Sequence, residues 1–199
     1  MENYPEKLPI LPLAGRFVRL EPLTDSHIAE LAKAAGDERI WGYSVRGDIG
    51  DYLKAAQDGL ANGRQLPFAV RLLAENRLVG MSRLFDMAPE HRRLELGYTW
   101  YVPEVWGSAV NPEAKRLLLG HAFEAWGARR VEFKIHHANL RSQAAVAKLG
   151  GVREGVLRSH MILPGGVRRD SVVFSILDGE WPAVRERLDV RLAALSTAR

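Results

Sequence analysis

Three small residues, Gly107, Ser108 and Ala109, join a strand-like segment to the N-terminus of a strongly helical stretch. Backbone N–H groups at a helix N-terminus lack partners within the helix, and together with the helix dipole they favour an anion. Small side chains let a phosphate group approach the main chain closely, and Asn111 is placed to cap the helix that Pro112 begins. The loop therefore predicts a phosphate-binding site, with an ordinary turn as the alternative.

The sequence argues against several other kinds of site. The loop lacks the Gly-Lys-Ser/Thr ending of a nucleoside-triphosphate loop and the spaced glycines of a dinucleotide fold. The chain has no cysteine, which excludes disulfides and thiolate chemistry. His136 and His137 are adjacent, so on a strand we expect them to face opposite sides, and without an HExxH spacing no metal site is expected.

Composition indicates one domain. The 199 residues, 47% of them hydrophobic, are enough for one substantial core, which we expect over residues 11–195 after an extended, proline-rich arm over residues 1–10. The net charge of +4 comes from arginines interspersed with acids, so no nucleic-acid partner is expected. Neither a signal-peptide pattern nor an apolar run of membrane-spanning length occurs, so we expect a cytoplasmic protein without a membrane partner.

Hydrophobic periodicity and turn residues predict the elements that position the loop. The pattern mixes helices with strands, and the strands include two hairpins. We predict helices over residues 25–35, 49–61, 112–126, 140–149 and 181–194. We predict strands over residues 17–22, 67–73, 78–85, 94–102, 131–135, 156–163 and 167–177.

Five short motifs occur together in one order along the chain. They are Glu95-Leu96-Gly97-Tyr98, the stretch from Trp106 to Lys115, Asn139-Leu140-Arg141-Ser142, Lys148-Leu149-Gly150 and Glu154-Gly155-Val156-Leu157-Arg158. This combination resembles the GNAT acetyltransferase superfamily, specifically its RimJ/RimL-like branch, over residues 11–177. The resemblance implies an α/β (α+β) fold with a mixed, mostly antiparallel sheet of about seven strands flanked by helices. Two neighbouring parallel strands, residues 94–102 and 131–136, are expected to splay apart.

The resemblance also implies that acetyl-CoA, as acyl donor, lies in the wedge between the splayed strands. The family's loop begins with Gln or Arg where this chain has Glu104, so no role is assigned to Glu104. Asn139 is expected to contact the pantetheine arm, with capping at the strand end as the alternative. The other expected donor contacts are main-chain groups of Trp100, Tyr101 and Val102 for the pantetheine, and the amides of Gly107, Ser108, Ala109, Val110 and Asn111 for the diphosphate.

Acyl transfer to an amine requires a neutral nitrogen and a proton for the departing thiolate. Glu95 is the candidate base, acting directly or through water, because on an alternating strand it points away from Leu94 and Leu96. A salt-bridged strand residue is the alternative. Ser142 lies in the first turn of a short helix, where the resemblance implies that its hydroxyl contacts the donor's sulfur, with a plain helix residue as the alternative.

The resemblance places Trp41, Tyr43 and Tyr98 at the acceptor pocket, with core packing as the alternative for Trp41. The predicted activity is that of an N-acetyltransferase, an acyltransferase for groups other than aminoacyl, which moves acetyl directly to a primary amine. A protein N-terminus and an amine-bearing small molecule both fit as acceptors. A non-catalytic acyl-CoA-binding regulatory module is the alternative, and an apolar sheet flank or the C-terminal helix could support a homodimer.

Overall fold

Residues 7–43 and 48–197, the parts of the chain that the computed structural model describes, contain eight strands in one mixed sheet. The sheet order is β1-β2-β3-β4-β5-β6-β8-β7, and the one parallel neighbour pair in this described part is β5 with β6. The predicted fold class is confirmed. The sheet has eight strands where about seven were expected, because a first strand of only two residues pairs with the second strand. The strands are β1 (Leu13–Ala14), β2 (Val18–Pro22), β3 (Gln65–Leu72), β4 (Arg77–Ala88), β5 (Arg93–Tyr101), β6 (Arg130–His136), β7 (Val152–Ile162) and β8 (Arg168–Leu177).

Five α-helices flank this sheet in the described ranges, and two of them have the predicted bounds. They are α1 (Asp25–Ala34), α2 (Ile49–Ala61), α3 (Val110–Gly120), α4 (Leu140–Leu149) and α5 (Trp181–Thr197). Helix α3 begins before Pro112 and continues into a π-helical turn, His121–Ala125. Asn111 is therefore the second residue of the helix, and the prediction that it caps the helix is wrong, because Ala109 holds the cap position.

Two apolar clusters lie on opposite faces of the sheet. Leu78 and Met81 of β4 belong to a smaller cluster with α1 and α2, whereas Val79 and Leu84 belong to a larger one with α3 and α5. Adjacent strand residues point to opposite faces, and a register shift in the β3–β4 pairing between Leu78 and Gly80 puts Leu78 and Met81 on one face. The sheet is thus covered by helices on both faces, and this fixes its strands rigidly enough to position a site.

Strands β5 and β6 separate after a short paired segment. They pair at three positions, of which Glu95 with Glu132 is the last, and beyond it β5 continues to Tyr101 beside β4 alone. A register shift in the β4–β5 pairing accompanies Tyr98, whose φ is +48°. The predicted splay of two parallel strands is therefore present, and we call the space beyond Glu95 the wedge.

The segment that precedes β2 is tied to α3 by one carboxylate. Glu113 is buried and accepts the backbone N–H groups of Arg16, Phe17 and Val18 at 2.8, 2.6 and 2.7 Å. Leu8, within the predicted arm, packs in the larger apolar cluster, and residues 1–6 of that arm lie outside the described part of the chain. Over the described ranges, every helix is too short or too polar to cross a bilayer.

Candidate active site

A cleft of about 1090 Å³ opens where β5 and β6 diverge. Its walls come from both strands, the loop before α3, the first turns of α4 and the segment between α1 and α2. Val102, Ala109 and Val110, all predicted donor contacts, do not line it. The predicted site residues that do line it are Trp41, Tyr43, Glu95, Tyr98, Trp100, Tyr101, Gly107, Ser108, Asn111, Asn139 and Ser142.

The loop before α3 presents main-chain donors to one end of this cleft. Gly107 has a φ of +79°, a conformation that favours glycine, and its exposed backbone turns the chain into the helix. The Ser108 hydroxyl donates to the Val105 carbonyl at 2.7 Å and accepts the Val110 N–H at 3.2 Å. Within residues 7–43 and 48–197, the N–H groups of Gly107, Ala109 and Asn111 have no hydrogen-bond partner. The loop therefore offers unpaired amides at a helix N-terminus, which suits a phosphate.

Main-chain groups at the end of β5, which were expected to be free for a ligand, are already hydrogen-bonded within the protein. The Val102 N–H donates to the Val79 carbonyl at 2.9 Å, so it belongs to the sheet. The Tyr101 carbonyl accepts the indole N–H of Trp106 at 2.9 Å, and the Arg141 guanidinium lies 4.0 Å from the centre of the Trp106 ring. A ligand that pairs with the Tyr101 carbonyl must displace this indole. Sequence reasoning missed the contact, which joins residues on two separate elements.

Glu95 lies at the point where the paired segment ends. Its side chain points away from the buried Leu94 and Leu96, and the residue is 6% exposed. One carboxylate oxygen accepts the Lys134 ammonium at 2.7 Å across the two strands. Burial raises the pKa of Glu95, and the hydrogen bond from Lys134 opposes that rise. Glu95 is therefore both a salt-bridged strand residue and a buried acid in the cleft.

Lys134 was not singled out in the sequence. Besides Glu95, its ammonium lies 3.5 Å from Glu132 and 3.6 Å from Asp86, so three carboxylates surround one cation. Asp86 also lines the cleft. The signal was available in principle, because Lys134 and Glu132 alternate with buried apolar residues on the strand next to Glu95.

Asn139 and Ser142 meet at the start of α4. The Asn139 side-chain oxygen accepts the Ser142 backbone N–H at 3.0 Å, so Asn139 caps the helix. The capping alternative for Asn139 is thus present in the structure, and Asn139 lines the cleft as well. In the described part of the chain the Ser142 hydroxyl has no hydrogen-bond partner, which leaves it available to a ligand in the cleft.

Comparison with known proteins identifies the family. Residues 18–152 match the model of the Acetyltransferase (GNAT) domain. The chain belongs to the GNAT acetyltransferase superfamily. A Bacillus subtilis (strain 168) protein named "Putative ribosomal N-acetyltransferase YdaF" is 32% identical over 110 residues, which are 55% of this chain and 59% of YdaF. A second B. subtilis (strain 168) relative is named "Uncharacterized N-acetyltransferase YoaA", and the match covers 55% of its length. The chain therefore spans less than two thirds of the length of these two curated relatives.

Solved GNAT structures share the whole fold. The structure of a "putative acetyltransferase" from T. thermophilus is 40% identical with a TM-score of 0.78, and the match covers 96% of this chain and 100% of that one. RimJ from Mycobacterium smegmatis, solved in complex with CoA-disulfide, is 22% identical with a TM-score of 0.76 over 95% of this chain and 97% of that one. The prediction of a GNAT protein is therefore confirmed, and the RimJ structure shares its fold.

The GNAT fold uses acyl-CoA, and the residues of this cleft fit such a donor. The unpaired amides at Gly107 and Asn111 suit a diphosphate, and the divergence of β5 and β6 leaves room for an extended arm. In the described ranges no group of three or more His, Cys, Asp or Glu side chains is arranged so that it could hold a metal ion. The prediction that His136 and His137 face opposite sides is wrong. Their rings stack 4.7 Å apart, because β6 ends at His136 and the chain turns there.

The three predicted acceptor-pocket aromatics differ in burial. Trp41 is buried, packs 5.5 Å from the rings of Tyr52 and Trp100, and donates its indole N–H to the Ala35 carbonyl at 2.8 Å. Its core packing is therefore established, although one edge faces the cleft. Tyr43 and Tyr98 are about half exposed, so in this GNAT cleft they form the accessible part of an aromatic wall.

Proposed function

We propose that the protein is an acetyl-CoA-dependent N-acetyltransferase that moves an acetyl group to a primary amine by direct attack. The observation that carries the proposal is the buried carboxylate of Glu95 inside a cleft of about 1090 Å³, at the point where the two parallel strands separate. Burial raises the pKa of this carboxyl, which makes its carboxylate a stronger base than an exposed one.

The donor end binds through main-chain groups. The amides of Gly107 and Asn111, which line the cleft, bind the diphosphate, and Ser108 lies between them with its N–H bonded to the Val105 carbonyl. Acetyl-CoA supplies the thioester, and the chain orients it between β5 and β6. Main-chain groups of Trp100 and Tyr101, the side chain of Asn139 and the hydroxyl of Ser142 complete the proposed contacts. Val102, Ala109 and Val110 are not among these contacts because they do not line the cleft. The Tyr101 carbonyl is reached when the Trp106 indole moves aside.

The acceptor end carries the proton chemistry. An attacking amine must be neutral, and Glu95 takes its proton either directly or through a water molecule. The nitrogen attacks the thioester carbon, the C–S bond breaks with its electron pair on sulfur, and the Ser142 hydroxyl lies on the side of the leaving group. Asp86 and Glu95 attract a cationic amine into the cleft, and the aromatic wall of Trp41, Tyr43 and Tyr98 contacts its carbon atoms.

A protein N-terminal α-amine is the acceptor that we favour over a small-molecule amine. An α-amino group has a pKa near about 8, so a substantial fraction is neutral at neutral pH, and it needs less base catalysis than a lysine side chain. The name of YdaF refers to the ribosome, which supports a protein substrate for this chain as well. The open cleft with an exposed aromatic wall suits an extended peptide terminus.

Thiol release from acetyl-CoA tests this function. The purified protein is mixed with acetyl-CoA and a panel of amines that contains peptides with different N-terminal residues, blocked peptides that keep a lysine, and small polyamines. We expect thiol release with free peptide N-termini and little with blocked ones. Binding of acetyl-CoA by calorimetry without acetylation of any amine would instead support a non-catalytic acyl-CoA-binding module.

The homodimer stays a prediction. Strand β7 is the edge of the sheet, and Val156, Leu157 and Ile162 on it are all exposed. Such an edge supports pairing with a second copy, which light scattering at several protein concentrations would measure.

A further inference from the structure

Lys115 is a buried lysine whose ammonium lies between the two splayed strands. It follows the donor loop on α3 and is 6% exposed, yet it lines the cleft. The ammonium donates to the Thr99 hydroxyl on β5 at 3.0 Å and lies 5.6 Å from the centre of the Phe133 ring on β6. Lys115 therefore lies inside the wedge, with one strand on either side.

The ammonium has fewer partners than it has hydrogen atoms. Of its three N–H groups, one is directed to Thr99, whose hydroxyl is also 2.7 Å from the buried Ser82 hydroxyl. Across residues 7–43 and 48–197 no carboxylate lies within salt-bridge distance of Lys115. A buried cation without a carboxylate partner is costly, and burial accordingly lowers the pKa of Lys115 to about 7.

The charged and titratable groups on the elements around Lys115 have other partners. Glu95 on β5 bonds Lys134 on β6, and Glu132 on β6 bonds Arg130. On α3, Glu113 accepts backbone N–H groups and Arg116 bonds Asp189. On β5, burial raises the pKa of the Tyr101 phenol, and Tyr98 lies in the cleft wall. None of these side chains hydrogen-bonds Lys115, so its remaining N–H groups are available to an acceptor in the cleft.

We infer that Lys115 is a donor-binding residue whose ammonium hydrogen-bonds a carbonyl oxygen of the acyl-CoA arm in the wedge. The inference rests on the proposed function, because acyl-CoA is the ligand that brings such an oxygen there. The arm offers carbonyl oxygens in its two pantetheine amides and in its thioester. An oxygen at the Lys115 ammonium satisfies the charged form and raises the pKa of the side chain.

This arrangement couples donor binding to protonation. Without the donor, Lys115 is charged below about pH 7 and largely neutral above it. With the donor, the raised pKa keeps it charged to higher pH, so binding takes up a proton between the two pKa values. Well below pH 7 both states are charged and no proton is exchanged. Affinity for the donor therefore falls as the pH rises through about 7 and beyond.

Calorimetry of acetyl-CoA binding in buffers with different ionisation enthalpies measures that proton. At about pH 7.5, a side chain with a pKa of about 7 takes up roughly three quarters of a proton when it becomes fully charged. We expect this uptake in the natural protein, its loss in Lys115→Met and its retention in Lys54→Met, which removes an exposed lysine of α2. Protons exchanged by the phosphates of CoA contribute equally to all three proteins and cancel in the differences.

Further ligands and variants identify the oxygen and guard against unfolding. S-ethyl-CoA lacks the thioester carbonyl, so equal proton uptake with it indicates a pantetheine amide, and loss of uptake indicates the thioester. Lys115→Arg stays charged across this range, and we expect donor binding without proton uptake. If Lys115→Met does not fold by circular dichroism, Thr99→Val removes the acceptor of Lys115 and shifts the pH at which uptake begins downward.

Two outcomes are distinguishable. Equal proton uptake in the natural protein and in the Lys115 variants, with donor affinities within about twofold, overturns the inference and leaves Lys115 as a residue that fills the wedge. Absence of any acetyl-CoA binding in the natural protein contradicts the proposed function instead. In the expected case, Lys115→Met weakens donor binding about tenfold at about pH 6, as loss of a charged hydrogen bond does, and by less at about pH 8.

Discussion

The donor end and the acceptor end of the cleft are built from different parts of the chain. Around Gly107 and Asn111, at the proposed donor end, the available groups are main-chain amides at a helix N-terminus. Around Glu95, they are ionisable side chains, with Lys134 bonded to the carboxylate at 2.7 Å and Asp86 nearby. Backbone amides tolerate changes of side chain, whereas a carboxylate does not. If the proposed diphosphate site is made of main-chain amides, Glu104 can stand where the family has Gln or Arg without removing it.

The strongest test of the acceptor end is Glu95→Gln. We expect kcat to fall by about 100-fold to 1000-fold, because general-base catalysis contributes on that order, while the Kd for acetyl-CoA changes by less than about twofold. Glu154→Gln is the matched control, since Glu154 on β7 is also bonded to a cation, Arg130, but does not line the cleft and does not contact Lys134. An unchanged kcat in Glu95→Gln would remove the assigned base.

The donor end is tested at the backbone of the loop. Gly107→Ala places a side chain at a φ of +79°, which costs about 1–2 kcal/mol. We expect donor affinity to weaken about tenfold by calorimetry, with kcat at saturating donor nearly unchanged. Gly165→Ala carries the same strain at a φ of +83° in the turn between β7 and β8, and its donor affinity should equal that of the natural protein. Equal losses in both variants would point to instability.

Lys134→Met tests how the acceptor end sets the basicity of Glu95. Burial raises the pKa of Glu95 and the Lys134 hydrogen bond lowers it, so removing Lys134 raises that pKa further. The base works only when deprotonated. As the pH falls, the activity of Lys134→Met should therefore begin to drop at a higher pH than the activity of the natural protein does, and it should recover above the new pKa of Glu95. The acidic limb of kcat/KM against pH measures the shift, and a limb that does not move contradicts it.

The smallest effect is expected at Glu104. If main-chain amides hold the diphosphate, then Glu104→Gln should change the Kd for acetyl-CoA by no more than about threefold, in the direction of tighter binding, because one exposed negative charge is removed. Calorimetry at low and high salt measures this change. A loss of affinity beyond about tenfold would show that the side chain takes part in the site.

Local sequence patterns predicted much of the fold. The bounds of α2 and α4 follow from their caps, since Asp48 accepts N–H groups of the first turn and Gly150 at a φ of +108° ends α4. The splay of β5 and β6 followed from the family resemblance. The start of α3 at Val110 was not predicted. Proline prefers the first position of a helix, so the sequence suggested a start at Pro112.

Contacts between distant elements could not be predicted. The Glu95–Lys134 bond and the burial of Lys115 each depend on how strands and helices come together. The Trp106 indole on the Tyr101 carbonyl is a local contact that depends on how the chain turns after β5. Periodicity assigns a residue to a face but does not choose its neighbour. The stacked rings of His136 and His137 show the same limit, since the strand had to end at a particular residue for them to meet.

The carboxylate of Glu113 has a consequence for anyone who shortens this protein. It holds the three backbone N–H groups of residues 16–18, and it belongs to the first turns of the helix that starts at the donor loop. Removing the chain through Val18 would take away all three of these donors, together with β1 and the buried side chains of Leu8 and Val18. Truncation at the amino end is therefore expected to destabilise the fold at the start of α3, beside the proposed diphosphate loop.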